Sequence, residues 1–502
     1  MSIKLDNVQG NIFGGFNKDF QDFLFLKVKD QTKAREWVRK NSEDLISMSR
    51  QVLAYNNAFK SLLASGVPRP ESIISARWAN IAFSFKGLQA LGFSNAELGS
   101  LPAAFTAGMS ARKAIVGDVG TSDPQHWDTP FDMANLPDIH AILLIAADTQ
   151  SDLTQYVADV TTTADFQAAF HVVGTVNGRT RVDDMGHEHF GFKDGVSQPG
   201  IRGINAPDDP LANPDQGHPG QDLLWPGEFV LGYPKQIPTA KAGHDGPNPD
   251  KGPLSVAGNP AWTHDGSFLV FRRLEQDVPA FHKQLGALAA ANNRSVGVMG
   301  AKLVGRYKSG CPIEALSMQP FAAALSPTDP GHSNPALADN DALNNAFEFG
   351  DDALGTRCPL SAHIRKAYPR DEDTGHGDDS ESETQTHRLL RRGIPFGASF
   401  GAEVGGGPAD KRGLCFLAYQ NDIERHFEFV QKTWVDDPKF PPEQGFGQTA
   451  HVPGDDPIIA QSSSGPFELT PGQPNIAVSH FVKTTGGEYF FAPSLETLKN
   501  RF

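Results

Sequence analysis

Ile139 to Ala147 (IHAILLIAA) is a near-continuous apolar run. A short run of this kind reads as a central strand covered on both faces. A polar turn follows, and Thr149 to Thr162 then has helical spacing, with Ser151 or Asp152 near its cap. A strand that must be covered, followed at once by a helix able to cover it, restricts the chain to layered sheet-and-helix architectures. The same order recurs. AILLIAADTQSDLTQYV is paralleled by CFLAYQNDIERHFEFV, where the strand Gly413 to Gln420 runs into a predicted helix from Asp422 to Trp434. DFLFLKVKDQTKAREWV near the start is paralleled by SFLVFRRLEQDVPAFHKQL, where Gly266 to Arg273 runs into a helix from Asp277 to Asn292 with Pro279 near its start. Any α+β protein yields some such pairs. Their matching order favours a structural repeat of two α+β domains of similar plan.

The remaining elements fit that plan. Gln21 to Val28, Trp78 to Phe85 and His171 to Thr180 read as strands, and Asp30 to Leu45 as a helix. A short helix after Trp78–Phe85 ends at Gly92. Residues 4–15 are turn-rich and are expected to wrap onto the body. Asn205 to Pro260 is dense in Gly, Pro and Asp, with strand character only at Leu223 to Tyr233. The domain boundary falls inside it, which gives domains 1–260 and 261–502. Pro327 to Leu360 and the acidic stretch Arg370 to Glu383 are also irregular.

Charge and cysteine content exclude several classes. A net charge of −15 argues against a nucleic-acid-binding body. Cys311, Cys358 and Cys415 are odd in number and widely spaced, without CxxC or CxxCH. That argues against a disulfide framework, a structural zinc site and covalent haem attachment. No apolar run approaches a membrane span. Met1 to Asp6 lacks the apolar core of a signal peptide, so the chain is expected to be cytoplasmic, or extracellular if a leader was removed. The excess of Phe over Tyr, 34 to seven, suggests apolar pockets.

Three stretches carry candidate chemistry. In His189-Phe190-Gly191-Phe192-Lys193-Asp194-Gly195, the glycines allow a tight loop with Asp194 at its tip. Phe190 and Phe192 are expected to make its surroundings apolar, which suits a carboxylate to proton transfer. Asp-Gly is also a common turn pair, so the role of Asp194 depends on what faces it. In CPLSAHIRKAYPR (358–370), His363 stands beside Arg365, Lys366 and Arg370, a combination suited to an axial haem ligand with cations for carboxylates; Cys358 is the rival ligand. In THRLLRRGIPFG (386–397), leucines interrupt the arginines, so one is expected to point inward, where it would pair with Asp194.

The chain resembles a dye-decolourising peroxidase over nearly its whole length. NVQGNIFGGF, the GxxDG signature in GFKDGVSQPG, PGEFVLGY, GRYKSGCPI, FEFGDD, AHIRK, LLRRGIPFG, GLCFLAYQ and GGEYFFAPSL occur in order. The resemblance implies two ferredoxin-like α+β domains, with antiparallel sheets covered by helices and haem b in the C-terminal domain. It implies His363 as the proximal iron ligand, Asp194 as distal acid/base and Arg391 as distal arginine. Leu414 and Phe416 would line the distal pocket, and Arg365 would meet a haem propionate. Asp194 would move a proton between the oxygens of hydrogen peroxide while Arg391 stabilises the charge that develops. An Asp in this role predicts an acidic optimum for peroxidation.

Relatives use surface Tyr or Trp residues to take electrons from bulky aromatic substrates. Phe396 stands where a relay Tyr can occur in the family, which leaves Trp434 as the relay candidate for such substrates, with Tyr368 as the candidate relay from a Mn²⁺ site. Trp434 is equally well read as a packing residue. Asp215, Glu372, Glu381 and Glu383 would suit Mn²⁺ as a substrate cation, with Asp371, Asp373, Asp378 and Asp379 in the same acidic run, which also reads as a solvated loop. Two other functions compete. A haem-handling protein would need His363 but neither Asp194 nor Arg391. A hydrolase would use Asp194 with His187 or His189, but no nucleophile elbow supports it.

Overall fold

The computed structural model describes residues 2–68, 73–211, 213–244, 246–255, 258–314, 344–375, 381–403, 406–442, 452–461 and 464–502. In the first half the strands are β1 (Phe20–Val28), β2 (Trp78–Phe83), β3 (Ala141–Ala147) and β4 (Phe170–Arg179), followed by a short parallel pair, β5 (Gly200–Ile201) and β6 (Leu223–Leu224). The second half has β7 (Ser267–Gln276), β8 (Leu390–Arg391), β9 (Ile394–Phe396), β10 (Gly413–Gln420) and β13 (Val482–Ala492), with β11 (Ser464–Phe467) and β12 (Ile476–Ser479) paired separately.

The repeat is visible in the strand order. The first half runs β4-β1-β3-β2 and the second, read from its other end, β13-β7-β10-β9, so with β8 and β9 counted as one broken strand each half has the ferredoxin-like order fourth, first, third, second. β1 and β7 lead into the helices Gln31–Asp44 and Val278–Ala291, capped by Asp30 and Asp277. β3, buried at every position, leads into Gln150–Thr161, capped by Thr149. The two sheets also join: β2 pairs with β13 and β4 with β9, all antiparallel, which closes a barrel. Phe23 and Phe25 on β1 meet Phe271 of β7 at 5.4 and 5.2 Å between ring centroids. Phenylalanines therefore fill the barrel, while Phe190, Phe192, Phe347, Phe416 and Phe427 line a cavity, as their excess suggested. One hydrophobic core draws residues from both halves of the chain.

Three local expectations change. Leu223 to Tyr233 is a strand only at Leu223–Leu224; Pro226 and Gly227 turn the chain into a 3-10 segment, Pro226–Glu228. Phe85 opens a helix capped by Ser84 instead of ending β2. The helix after β10 is wound in the wider π form over Glu424–Glu428 and Val430–Val435, a rare geometry that is frequent at functional sites. The N-terminal segment does wrap onto the body: the Gln9 side chain donates to the Ile81 and Pro493 carbonyls at 2.8 Å.

Candidate active site

A cavity of about 270 Å³ lies against the outer face of the second-half sheet. Strand alternation decides what reaches it. Leu414 and Phe416 on β10 line it, while Cys415 and Leu417 between and beyond them join the barrel core. On β7, Arg272 and Leu274 line it and Phe271 points inward. Val304, His363 and Val430 close the helical side.

His363 begins the short helix His363–Ala367 and lines the cavity. Its Nδ1 is 2.8 Å from Oδ2 of Asp456, which leaves Nε2 as the ring's remaining donor atom. Burial disfavours the charged ring, but the charge and hydrogen bond of Asp456 outweigh it and raise the pKa above the usual imidazole value. Burial likewise opposes the Asp456 carboxylate, yet His363 and the backbone N–H groups of Ile458 and Ile459, at 2.7 and 3.0 Å, hold its pKa low. Asp456 was not legible in the sequence. It lies 93 positions from His363 in an irregular stretch, and nothing local couples the two.

Asp194 and Arg391 come together on the same cavity, with Nη1 of Arg391 3.7 Å from Oδ1 of Asp194. The glycine loop works as expected: Gly191 and Gly195 have φ of 91° and 73°, a region that favours glycine. Gly195 N–H donates to Asp194 Oδ1 at 2.6 Å, and Asp194 N–H donates to the Gly186 carbonyl at 3.0 Å. The same loop holds the arginine. Ser197 O accepts from Arg391 Nη2 at 2.8 Å, and the Gln198 amide bonds both backbone groups of Arg391. The phenylalanines line the same cavity as Asp194, as expected, without enclosing the carboxylate. Phe190 stacks on Phe281 at 4.1 Å, Phe192 meets the same ring at 6.4 Å, and the Asp194 side chain remains 37% exposed. Neither His187 nor His189 bonds Asp194: His189 Nε2 lies 2.8 Å from the Phe396 carbonyl, and His187 contacts Lys308 O and Asp184. The hydrolase constellation is therefore not assembled.

Arg365 is not a cavity residue. It is fully buried, ion-paired with Glu372 and Asp352, and donates to the Cys358 carbonyl at 2.7 Å. It stands two residues after His363 on a helix, and residues at that spacing face different sides. Arg365→Met is expected to leave two buried carboxylates unpaired and to cost about 3–5 kcal/mol, read as a lower denaturant midpoint. Cys358 is also buried away from the cavity, and burial pushes its thiol above the ordinary range, which opposes a thiolate ligand. The cavity instead presents Arg306 and Arg370, both buried. Arg306 donates to the carbonyls of Gly310 and Asn344, and Arg370 to those of Asn345 and Phe347.

Trp434 and Tyr368 both line the cavity. Trp434 is 1% exposed, so it is not a surface residue; it stacks on Phe440 at 5.5 Å and meets the His387 ring edge-on at 5.2 Å. Tyr368 is half-buried. The proposed Mn²⁺ ligands do not gather, because salt bridges and hydrogen bonds hold them apart. Asp215 pairs with Arg202, Glu372 with Arg365 and Glu383 with His387, and only Glu381 reaches Tyr368. Asp378 and Asp379 lie outside the described residues. Among the described residues, no three His, Cys, Asp or Glu side chains form a metal-binding group, and no helix is long and apolar enough to cross a membrane.

Residues 7–182 match the family model for the DyP dimeric alpha+beta barrel domain, and residues 333–443 match that for the Dyp-type peroxidase C-terminal region. A dye-decolorizing peroxidase of Exidia glandulosa is 32% identical, over 100% of this chain and 87% of that protein. The structure of an ancestral D-type dye decolorizing peroxidase is 32% identical and superposes with a TM-score of 0.78, covering 100% of this chain and 99% of the other. A dye-decolorizing peroxidase in complex with 2,6-dimethoxyphenol, 30% identical, gives a TM-score of 0.74 with 99% of each chain covered. The chain belongs to the dye-decolourising peroxidase family, haem-dependent enzymes that act on hydrogen peroxide.

Proposed function

We propose that this enzyme uses haem b held by His363, and that Asp194 and Arg391 act together on peroxide. The observation that carries the reading is that all three side chains line one cavity, with Asp194 and Arg391 3.7 Å apart. The residues fit the cofactor. His363 presents Nε2 while Asp456 fixes its other nitrogen, an arrangement that raises ligand basicity. Leu414, Phe416 and Val430 supply apolar wall. Arg306 and Arg370 have no carboxylate partner among the described residues. Burial, and then the charge of Arg370, push the Arg306 guanidinium down to about 9. Two such cations suit the two propionates.

When bound, haem supplies the iron that activates peroxide and passes its oxidising equivalents to reducing substrates. Asp194 takes the proton from one peroxide oxygen and returns it to the departing one. Arg391, fixed by Ser197 and Gln198, stabilises the negative charge on that oxygen. Phenols are a suitable reductant class, as the relative bound to 2,6-dimethoxyphenol supports. For larger dyes, Tyr368 is taken as the electron relay: it lines the cavity and its hydroxyl faces carboxylate oxygens of Asp222 and Glu381 at 3.2 and 3.4 Å, whereas the Trp434 side chain is enclosed.

Arg391→Leu is expected to lower peroxide-dependent dye turnover by about 10²–10³-fold, with the Soret band retained. Unchanged turnover would favour a haem-handling protein instead.

A further inference from the structure

Tyr368 and Trp434 flank the same cavity, but their polar atoms have opposite surroundings. The Trp434 Nε1–H is buried and has no acceptor among the described residues. The Tyr368 hydroxyl lies 3.2 Å from Oδ2 of Asp222 and 3.4 Å from Oε1 of Glu381. Gln385 Nε2 donates to the same Asp222 oxygen at 2.7 Å and also to the Tyr368 hydroxyl. The Arg388 guanidinium lies 3.7 Å over the phenol ring. Asp222 itself is 9% exposed and sits just before β6, with its carbonyl accepting from Gly200 N–H at 2.9 Å.

A phenol that loses an electron becomes a strong acid, so the electron leaves readily only where the proton has a nearby base. An indole without an acceptor must keep its proton and carry the positive charge in a low-dielectric setting, which is costly. We propose that Asp222 receives the phenolic proton of Tyr368 when Tyr368 supplies an electron to the peroxide-oxidised enzyme. The proposal rests on the reading of Tyr368 as the relay. In that step the O–H bond of Tyr368 breaks. One electron goes to the oxidised site, the proton forms a new O–H bond on Asp222, and a neutral phenoxyl remains. The reducing substrate then returns one electron, and Asp222 returns the proton.

The neighbouring groups do not serve as the base. Burial, then the charges of Asp222 and Glu348, raise the Glu381 carboxyl well above the carboxylate range, so it keeps a proton of its own. Gln385 turns its amide nitrogen toward the phenol, and Arg388 is a cation. Gln385 acts as a positioning residue, holding the Asp222 oxygen beside the hydroxyl.

The test is freeze-quench electron paramagnetic resonance of the haem-loaded enzyme after mixing with hydrogen peroxide. Each variant is first matched to wild type by far-ultraviolet circular dichroism and Soret band. Wild type is expected to show a tyrosyl radical that Tyr368→Phe removes. Asp222→Asn is expected to lower the radical yield per haem by about tenfold, the weight of one hydrogen bond to a charged group, and Asp222→Glu to restore it. If Asp222→Asn fails to fold, wild type alone decides, because the radical should rise more slowly in D₂O than in H₂O. A full radical in Asp222→Asn, or equal rise in both solvents, overturns the role of Asp222 while leaving Tyr368 as the relay. A full tyrosyl signal in Tyr368→Phe overturns both.

Discussion

Asp194→Asn is expected to lower kcat/KM for hydrogen peroxide by about 10²–10⁴-fold, the range contributed by one positioned acid/base. The substitution preserves shape. An Asn oxygen can still accept from Gly195 N–H, as Asp194 Oδ1 does at 2.6 Å, and the loop is held independently by Gly186 and Lys308. What is lost is the ability to take a proton and the negative charge facing Arg391. Haem content should not change, because no Asp194 contact reaches His363 or Asp456. Stopped-flow mixing with peroxide, followed at the Soret band, measures the step directly. Adding Arg391→Leu should cost less than the two single losses combined, since both residues act on the same oxygen pair and groups in one unit are non-additive. A loss smaller than tenfold in Asp194→Asn would show that another group carries the proton.

The parts that sequence made legible are those governed by local pattern. Each half announces itself as an apolar strand, a polar turn and a capped helix, and the structure has β1, β3, β7 and β10 in these places. The loop that carries Asp194 was legible because glycines at 191 and 195 constrain it whatever lies around it, but they do not say what the carboxylate faces, and on local pattern alone it read as an ordinary turn. Barrel closure was not legible, because β2–β13 and β4–β9 join strands far apart in the chain, and alternation says which face is apolar without saying which edge pairs. Arg365 misled for a geometric reason. Proximity in sequence to His363 suggested a shared pocket, but two residues along a helix turn the side chain away, and the pocket cations came from Arg306 and from Arg370 beyond the helix end. Phe190 and Phe192 do line the cavity with Asp194, packed from behind on Phe281 of the helix Val278–Ala291.

Asp456→Asn is expected to weaken haem binding by about 10–100-fold, the usual weight of a residue that orients a metal-binding histidine, and His363→Ala to abolish it. The two oxygens of Asp456 are committed differently. Oδ1 accepts two backbone N–H groups, from Ile458 and Ile459, and Oδ2 faces Nδ1 of His363. An Asn at this buried position must keep its single oxygen on the two N–H donors, because turning the amide round would set NH₂ against them. Its NH₂ group then faces Nδ1 and donates to it. That stabilises the tautomer carrying the ring proton on Nε2, the atom that must be free to bind iron. In the neutral ring the carboxylate does the reverse, accepting from Nδ1–H so that Nε2 is the unprotonated nitrogen. Haem titration of the apoprotein at the Soret band gives the affinity, and thermal unfolding of the same apoprotein separates a tautomer effect from a loss of fold. Asp456→Asn with wild-type affinity would mean that His363 is oriented by its helix alone, and the hydrogen bond across 93 positions would then serve stability instead of ligation.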